Sequence, residues 1–117
     1  MLAQYLDLTD EFNANGFVRF ETSSYDYAVV QIIGQSNEIG FFTTINSGAI
    51  QGVTDGNVLT SDNYYSSAYA TQLSDGAIVT GASGGDGLYR FNVVGRYISL
   101  EKGGTVNKLL VMLTKIS

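Results

Sequence analysis

The sequence predicts a single all-β domain, an antiparallel β-sandwich of jelly-roll-like character with about eight strands and a short N-terminal arm. Three observations carry this. Pro is absent and Gly frequent at 14 of 117 residues, and Thr, Val, Ile, Tyr and Phe dominate the ordered-looking stretches, which suits a pleated half-buried surface better than a helix. Apolar residues alternate with a period near two between turn residues. No tandem repeat of about 20–50 residues is present, which excludes a solenoid or a propeller blade array. The length fits one domain, divided into an arm over residues 1–15 and a sandwich over 16–117.

The segments follow in order. Residues 2–12 are the least strand-like stretch, a helical turn or an extended arm, and Asn13-Ala14-Asn15-Gly16 is a turn. Strands are predicted at Gly16–Glu21, at Tyr25–Ile33 (apolar on both faces in its later half, hence central and buried) and at Ile39–Asn46. Residues 47–66 form a long segment with a short strand at Asn57–Thr60. Ala68–Leu73 alternates and ends at Ser74-Asp75-Gly76, where Gly supplies positive φ and Asp bonds its own backbone. Ala77–Thr80 is short, and Gly81–Gly87 is a loop or bulged turn. Leu88–Val94, Arg96–Glu101 and Thr105–Ile116 complete the set. The last strand is apolar on both faces, with Leu109, Val111 and Leu113 on one and Val106, Leu110, Met112 and Ile116 on the other. One sandwich buries one face; the second calls for helix packing or a subunit interface.

Charge is distributed unevenly. Residues 1–89 hold ten acids and one base, and residues 90–117 hold five bases and one acid, giving −9 and +4 within the net −5. Mutual neutralisation inside one sandwich is the expected outcome. Five bases dispersed over strands do not form the dense basic face that nucleic acid requires, so no nucleic-acid partner is expected. No apolar run approaches the ~20 residues that span a bilayer, so no membrane partner is expected either. The start, Met1–Asp7, has no basic n-region and is read as no signal peptide, hence synthesis in a cytoplasm.

Chemistry is limited by arithmetic. With no His and no Cys, neither a Ser-His-Asp nor a Cys-His arrangement nor a histidine or thiolate metal site can be built. The acids mostly lie in turns or at strand ends, where ordinary carboxylates are expected, and no enzymatic activity is expected. Gly81–Gly87 lacks the Lys and following helix of a phosphate loop. Asp55-Gly56-Asn57 lacks the remaining ligands of a calcium loop; scattered Asp55, Asp62, Asp75 and Asp86 leave a structural Ca²⁺ open, but no cofactor is assigned. Tyr64, Tyr65 and Tyr69, in a polar stretch, are the candidate ligand contacts, since Tyr offers a large rigid surface with one polar handle. Covering an edge of their own sandwich is the plainer role for them.

Gly87-Leu88-Tyr89-Arg90-Phe91-Asn92-Val93-Val94-Gly95-Arg96-Tyr97-Ile98-Ser99-Leu100 resembles a stretch found in small β-sandwich structural proteins of tailed bacteriophages. Tyr25–Ile33 and Phe42–Gly48 with Asp55-Gly56 resemble further segments of the same proteins, so that the resemblance covers roughly residues 16–116. Ser99 stands where an Arg is common in them, and no contact is carried over at that position. The resemblance implies a non-enzymatic virion protein. The expected role is capsid decoration (a cement protein), binding the major capsid protein or other virion proteins as a homo-oligomer, with a trimer the favoured symmetry. The alternative is a receptor- or glycan-binding module of a tail fibre or baseplate. The candidate interface comprises Leu2, Tyr5, Leu6 and Phe12 of the arm, reaching over a neighbouring subunit, with Leu110 and Met112 of the last strand.

Overall fold

A computed structural model describes residues 2–44, 66–92, 97–101 and 104–116. They contain eleven strands and one helix: β1 (Leu2–Asp7), α1 (Thr9–Asn15), β2 (Phe17–Glu21), β3 (Tyr27–Ile33), β4 (Ile39–Thr44), β5 (Ser66–Ser67), β6 (Ala70–Gln72), β7 (Ile78–Val79), β8 (Gly81–Ala82), β9 (Gly87–Asn92), β10 (Tyr97–Glu101) and β11 (Lys108–Lys115). Two antiparallel sheets result. One has the order β1-β11-β3-β9-β6-β7; the other has β2-β10-β4-β5, with β8 pairing β4. The all-β sandwich expected from the alternation is the fold.

The two sheets enclose one core. Val18 and Phe20 of β2, Ile39 and Phe41 of β4, and Ile98 and Leu100 of β10 meet Ala28, Val30 and Ile32 of β3, Tyr89 and Phe91 of β9, and Leu109, Val111 and Leu113 of β11. Phe41 bridges the layers, its ring edge-on to Tyr89 at 5.3 Å and to Phe91 at 4.9 Å between centroids. Each such pair adds about 0.5–1.5 kcal/mol beyond area burial. Burial also pushes the Tyr89 phenol above its ordinary pKa, as expected where the charged phenolate would lose water.

The central position expected for Tyr25–Ile33 is found: β3 lies between β11 and β9 and alternates buried and half-buried residues along its length. On β10 both parities are buried. Ser99 and Glu101, opposite in parity to Ile98 and Leu100, are fully buried as well. A serine at 99 suits that enclosed position, where the larger side chain common in the resembling proteins would have to displace its surroundings.

Three expectations change. Residues 2–15, read as an arm ending in a turn, are folded onto the sandwich. Leu2–Asp7 is an edge strand paired along its whole length with β11, Leu2 opposite Lys115 and Asp7 opposite Leu110. Thr9–Asn15 is a helix, closed by Gly16 in the left-handed conformation at φ 79° with its N–H donating to Phe12 O, the arrangement Gly favours beyond a helix C-terminus. Phe12 drives this. Its side chain is completely buried and belongs to the main core, so it is not an interface residue. The third change is at Gly81–Gly87, expected as one loop: Gly81 and Ala82 form β8, pairing Gly40 and Ile39 of β4. An ideal Cβ on Gly81 would lie 2.7 Å from Ile39 O, so the close backbone approach requires glycine there. The strand expected at 57–60 lies outside the described residues.

Candidate functional site: an apolar hollow on the outer sheet face

The corner between β1 and α1 fixes how β1 lies. The Asp7 carboxylate accepts from the Thr9 N–H at 3.1 Å and the Thr9 hydroxyl at 2.7 Å. The same Thr9 oxygen accepts from the Leu109 N–H at 2.9 Å, and Lys108 Nζ stands 3.7 Å from Asp7. The Thr9 hydroxyl, then the Thr9 N–H, then the Lys108 charge hold the Asp7 carboxyl below its ordinary pKa of 3.8. Asn13 replaces a strand partner for Val106, donating to its carbonyl at 3.0 Å and accepting from its N–H at 2.8 Å. These bonds clamp α1 to the entry of β11.

Registers then define the outer face of the six-stranded sheet. Tyr5 stands opposite Met112, Met112 opposite Val29, and Val29 opposite Arg90. In the adjoining row Asp7 is followed by Leu110, Gln31 and Leu88. Because cross-strand partners share a face, these residues turn away from the core. All of them but Arg90 line a hollow of about 450 Å³: the outward side chains of Tyr5, Val29, Leu88, Leu110 and Met112, with Asp7 and Gln31 on the polar side, and Leu6 and Val111 complete its lining. Tyr5 is 75% exposed and Leu88 40%, while Leu110 and Met112 are half-buried. Beyond Val29, the Arg90 guanidinium lies 4.5 Å over the Tyr27 ring, which holds a cation at the margin of the apolar surface.

Of the interface residues read from sequence, Tyr5, Leu110 and Met112 come together here. Leu6 and Leu2 have the opposite parity on β1: Leu6 also lines the hollow but packs against the core, and Leu2 projects, 63% exposed, at the strand's start. Val29 and Leu88 were not singled out in the sequence. Their signal was present, since both are the out-of-phase apolar residues of alternating strands, but only register shows that they adjoin Met112 and Leu110.

Of the candidate ligand contacts, Tyr69 is exposed at 66% between β5 and β6, and Tyr64 and Tyr65 lie outside the described residues. Among the described residues no three His, Cys, Asp or Glu side chains gather as a metal site, and no helix is long and apolar enough to cross a membrane. Asp75 accepts from the Ala77 N–H at 3.0 Å within its own turn, and Asp86 accepts from the Gly34 N–H at 2.9 Å, tying two loops together; Asp55 and Asp62 lie outside the described residues.

No protein-family profile and no curated protein sequence matches the chain. Among solved structures it is similar in fold to the SPBc2 prophage-derived protein YomS, with a TM-score of 0.63 and 12% identity over 97% of this chain and 95% of that one. The likeness spans nearly the whole of both chains, so that the two-sheet sandwich has a counterpart in a prophage-derived protein.

Proposed function

We propose that this chain is a non-enzymatic structural protein of a tailed-phage or prophage particle, a decoration protein that seats on the capsid surface as an oligomer. The observation that carries the reading is the apolar hollow. A small sandwich that has already closed its core keeps Tyr5, Val29, Leu88, Leu110 and Met112 together on the outside. Contiguous exposed apolar surface rimmed by polar groups is characteristic of protein–protein contact, and aromatic and Met side chains are enriched in such contacts. The fold likeness to a prophage-derived protein and the resemblance of the strand motifs to phage sandwiches support the particle as the setting.

The test is co-sedimentation of the purified chain with capsids of the encoding phage stripped of accessory proteins. Wild type should pellet with the particles. Met112→Asp and Leu110→Gln should stay in the supernatant while unfolding at nearly the same urea concentration as wild type, because both side chains lie outside the core and neither change sets like charges opposite each other across the strands. A wild-type chain that ignores every particle preparation sinks the reading, and glycan arrays with Tyr69→Ala as control are then the next measurement.

A further inference from the structure

The free edge of β1 carries a second contact. Among the described residues β1 pairs only with β11 and ends the six-stranded sheet. The Leu8 N–H donates to Leu109 O at 2.9 Å, and Leu8 and Leu109 continue the register of the β1–β11 ladder. Main-chain groups alternate sides along a strand. Leu2, Gln4 and Leu6 therefore bond to β11, while the N–H and C=O of Ala3, Tyr5 and Asp7 point away from the sheet. That edge has none of the usual protections. It contains no Lys and no Pro, it pairs without a bulge, and its sole charge, Asp7, sits at the end and faces Lys108.

We propose that this edge pairs with β1 of a second copy, antiparallel, on a two-fold axis through Tyr5, joining the two six-stranded sheets into one. The sequence of the strand is self-complementary in that register. Tyr5 meets the other Tyr5, Ala3 meets Asp7 and Asp7 meets Ala3, each an outward-bonding residue, for about six new main-chain hydrogen bonds. The two tyrosines, each 75% exposed in one copy, become a cross-strand aromatic pair. Gln4 meets Leu6 on the opposite face, and Leu2, 63% exposed alone, meets Leu8. No two charges face each other: the Asp7 carboxylates end up about 13 Å apart, beyond the screening length of roughly 8–10 Å. Tyr5 is also one wall of the apolar hollow, so the pairing makes the two hollows neighbours across the axis. This rests on the proposed function only in taking the chain to self-associate.

Ala3→Pro separates this contact from folding. Its N–H points outward, so Pro removes an edge donor and sets its ring against the incoming strand without breaking a β11 bond. By light scattering, wild type should show twice the mass of one chain and Ala3→Pro the mass of one, with coincident far-UV spectra. The chain has no Cys, which makes register directly testable. Under mild oxidation Tyr5→Cys should become a covalent dimer, since the paired Cα atoms lie about 5.5 Å apart, whereas Ala3→Cys should not. A wild-type mass of one chain at every soluble concentration, an Ala3→Pro dimer, or equal cross-linking of both Cys variants overturns the pairing; the last two outcomes assign self-association to another surface or register. Particle binding by a monomeric wild type would overturn the pairing and the oligomeric state while leaving the decoration role, and a dimer that ignores particles would overturn the decoration role alone.

Discussion

Phe12 offers the sharpest test of how the N-terminal residues are held. Its side chain is completely buried in the common core, at the centre of a helix that is otherwise exposed except for Thr9 and the half-buried Gly16 that follows it. Replacing it with Ala removes most of a buried aromatic ring and leaves a cavity beneath α1, a change that costs about 3–5 kcal/mol in comparable sites. For a domain of this size one kcal/mol lowers the Tm by roughly 3–5 °C, so a fall of about 9–25 °C is expected. Phe12→Leu keeps much of the volume and should cost less than half as much. The assay is urea unfolding followed by near-UV circular dichroism at several protein concentrations. If Phe12 packs within its own chain, the loss is the same at every concentration once the wild-type curve is referred to the monomeric Ala3→Pro background. A loss below about 1 kcal/mol, or one that vanishes as the protein is diluted, would refute the intrachain role and return Phe12 to an interface.

Further outcomes follow from the same corner and from the turns. Asn13→Asp keeps the acceptor for the Val106 N–H but sets a carboxylate against the Val106 carbonyl, and should cost about 1–3 kcal/mol by chemical denaturation; equal stability would mean that the clamp is idle. Asp7 has a depressed folded pKa, so its contribution is present above the unfolded value and is lost as pH falls through the folded one. Wild type should therefore lose stability from about pH 4 downward more steeply than Asp7→Asn, and parallel acid-unfolding curves would contradict that linkage. Gly104 has φ 60°, and a Cβ there would collide with Ser36 Oγ, which already accepts from the Thr105 N–H at 2.9 Å. Gly104→Ala should cost about 1–3 kcal/mol. Gly16→Ala, also at positive φ but with open space around it, should cost about 1 kcal/mol, and the reverse ranking in thermal melts would contradict the steric argument.

Much of the fold was legible in the chain because strand alternation is local. The period-two runs at Gly16–Glu21, Tyr25–Ile33, Ile39–Asn46 and Thr105–Ile116 reflect the demand that one face of a pleated strand be apolar, and each contains a strand of the structure. The excess of apolar residues on both faces of Thr105–Ile116 was likewise visible, and it marked Leu110 and Met112 as outward-facing. Three features were decided only by the tertiary structure. Leu2–Asp7 has no propensity that names it a strand; it becomes one because β11 offers an unsatisfied edge. Phe12 reads from sequence as an interface residue and is a core one, since burial is a property of what surrounds a side chain and not of its type. The hollow itself depends on β1, β11, β3 and β9 lying side by side in a particular register, which brings residues 5, 29, 88, 110 and 112 together from four separate strands. Sequence alternation determines which way each side chain points; only strand order and register determine what it points beside.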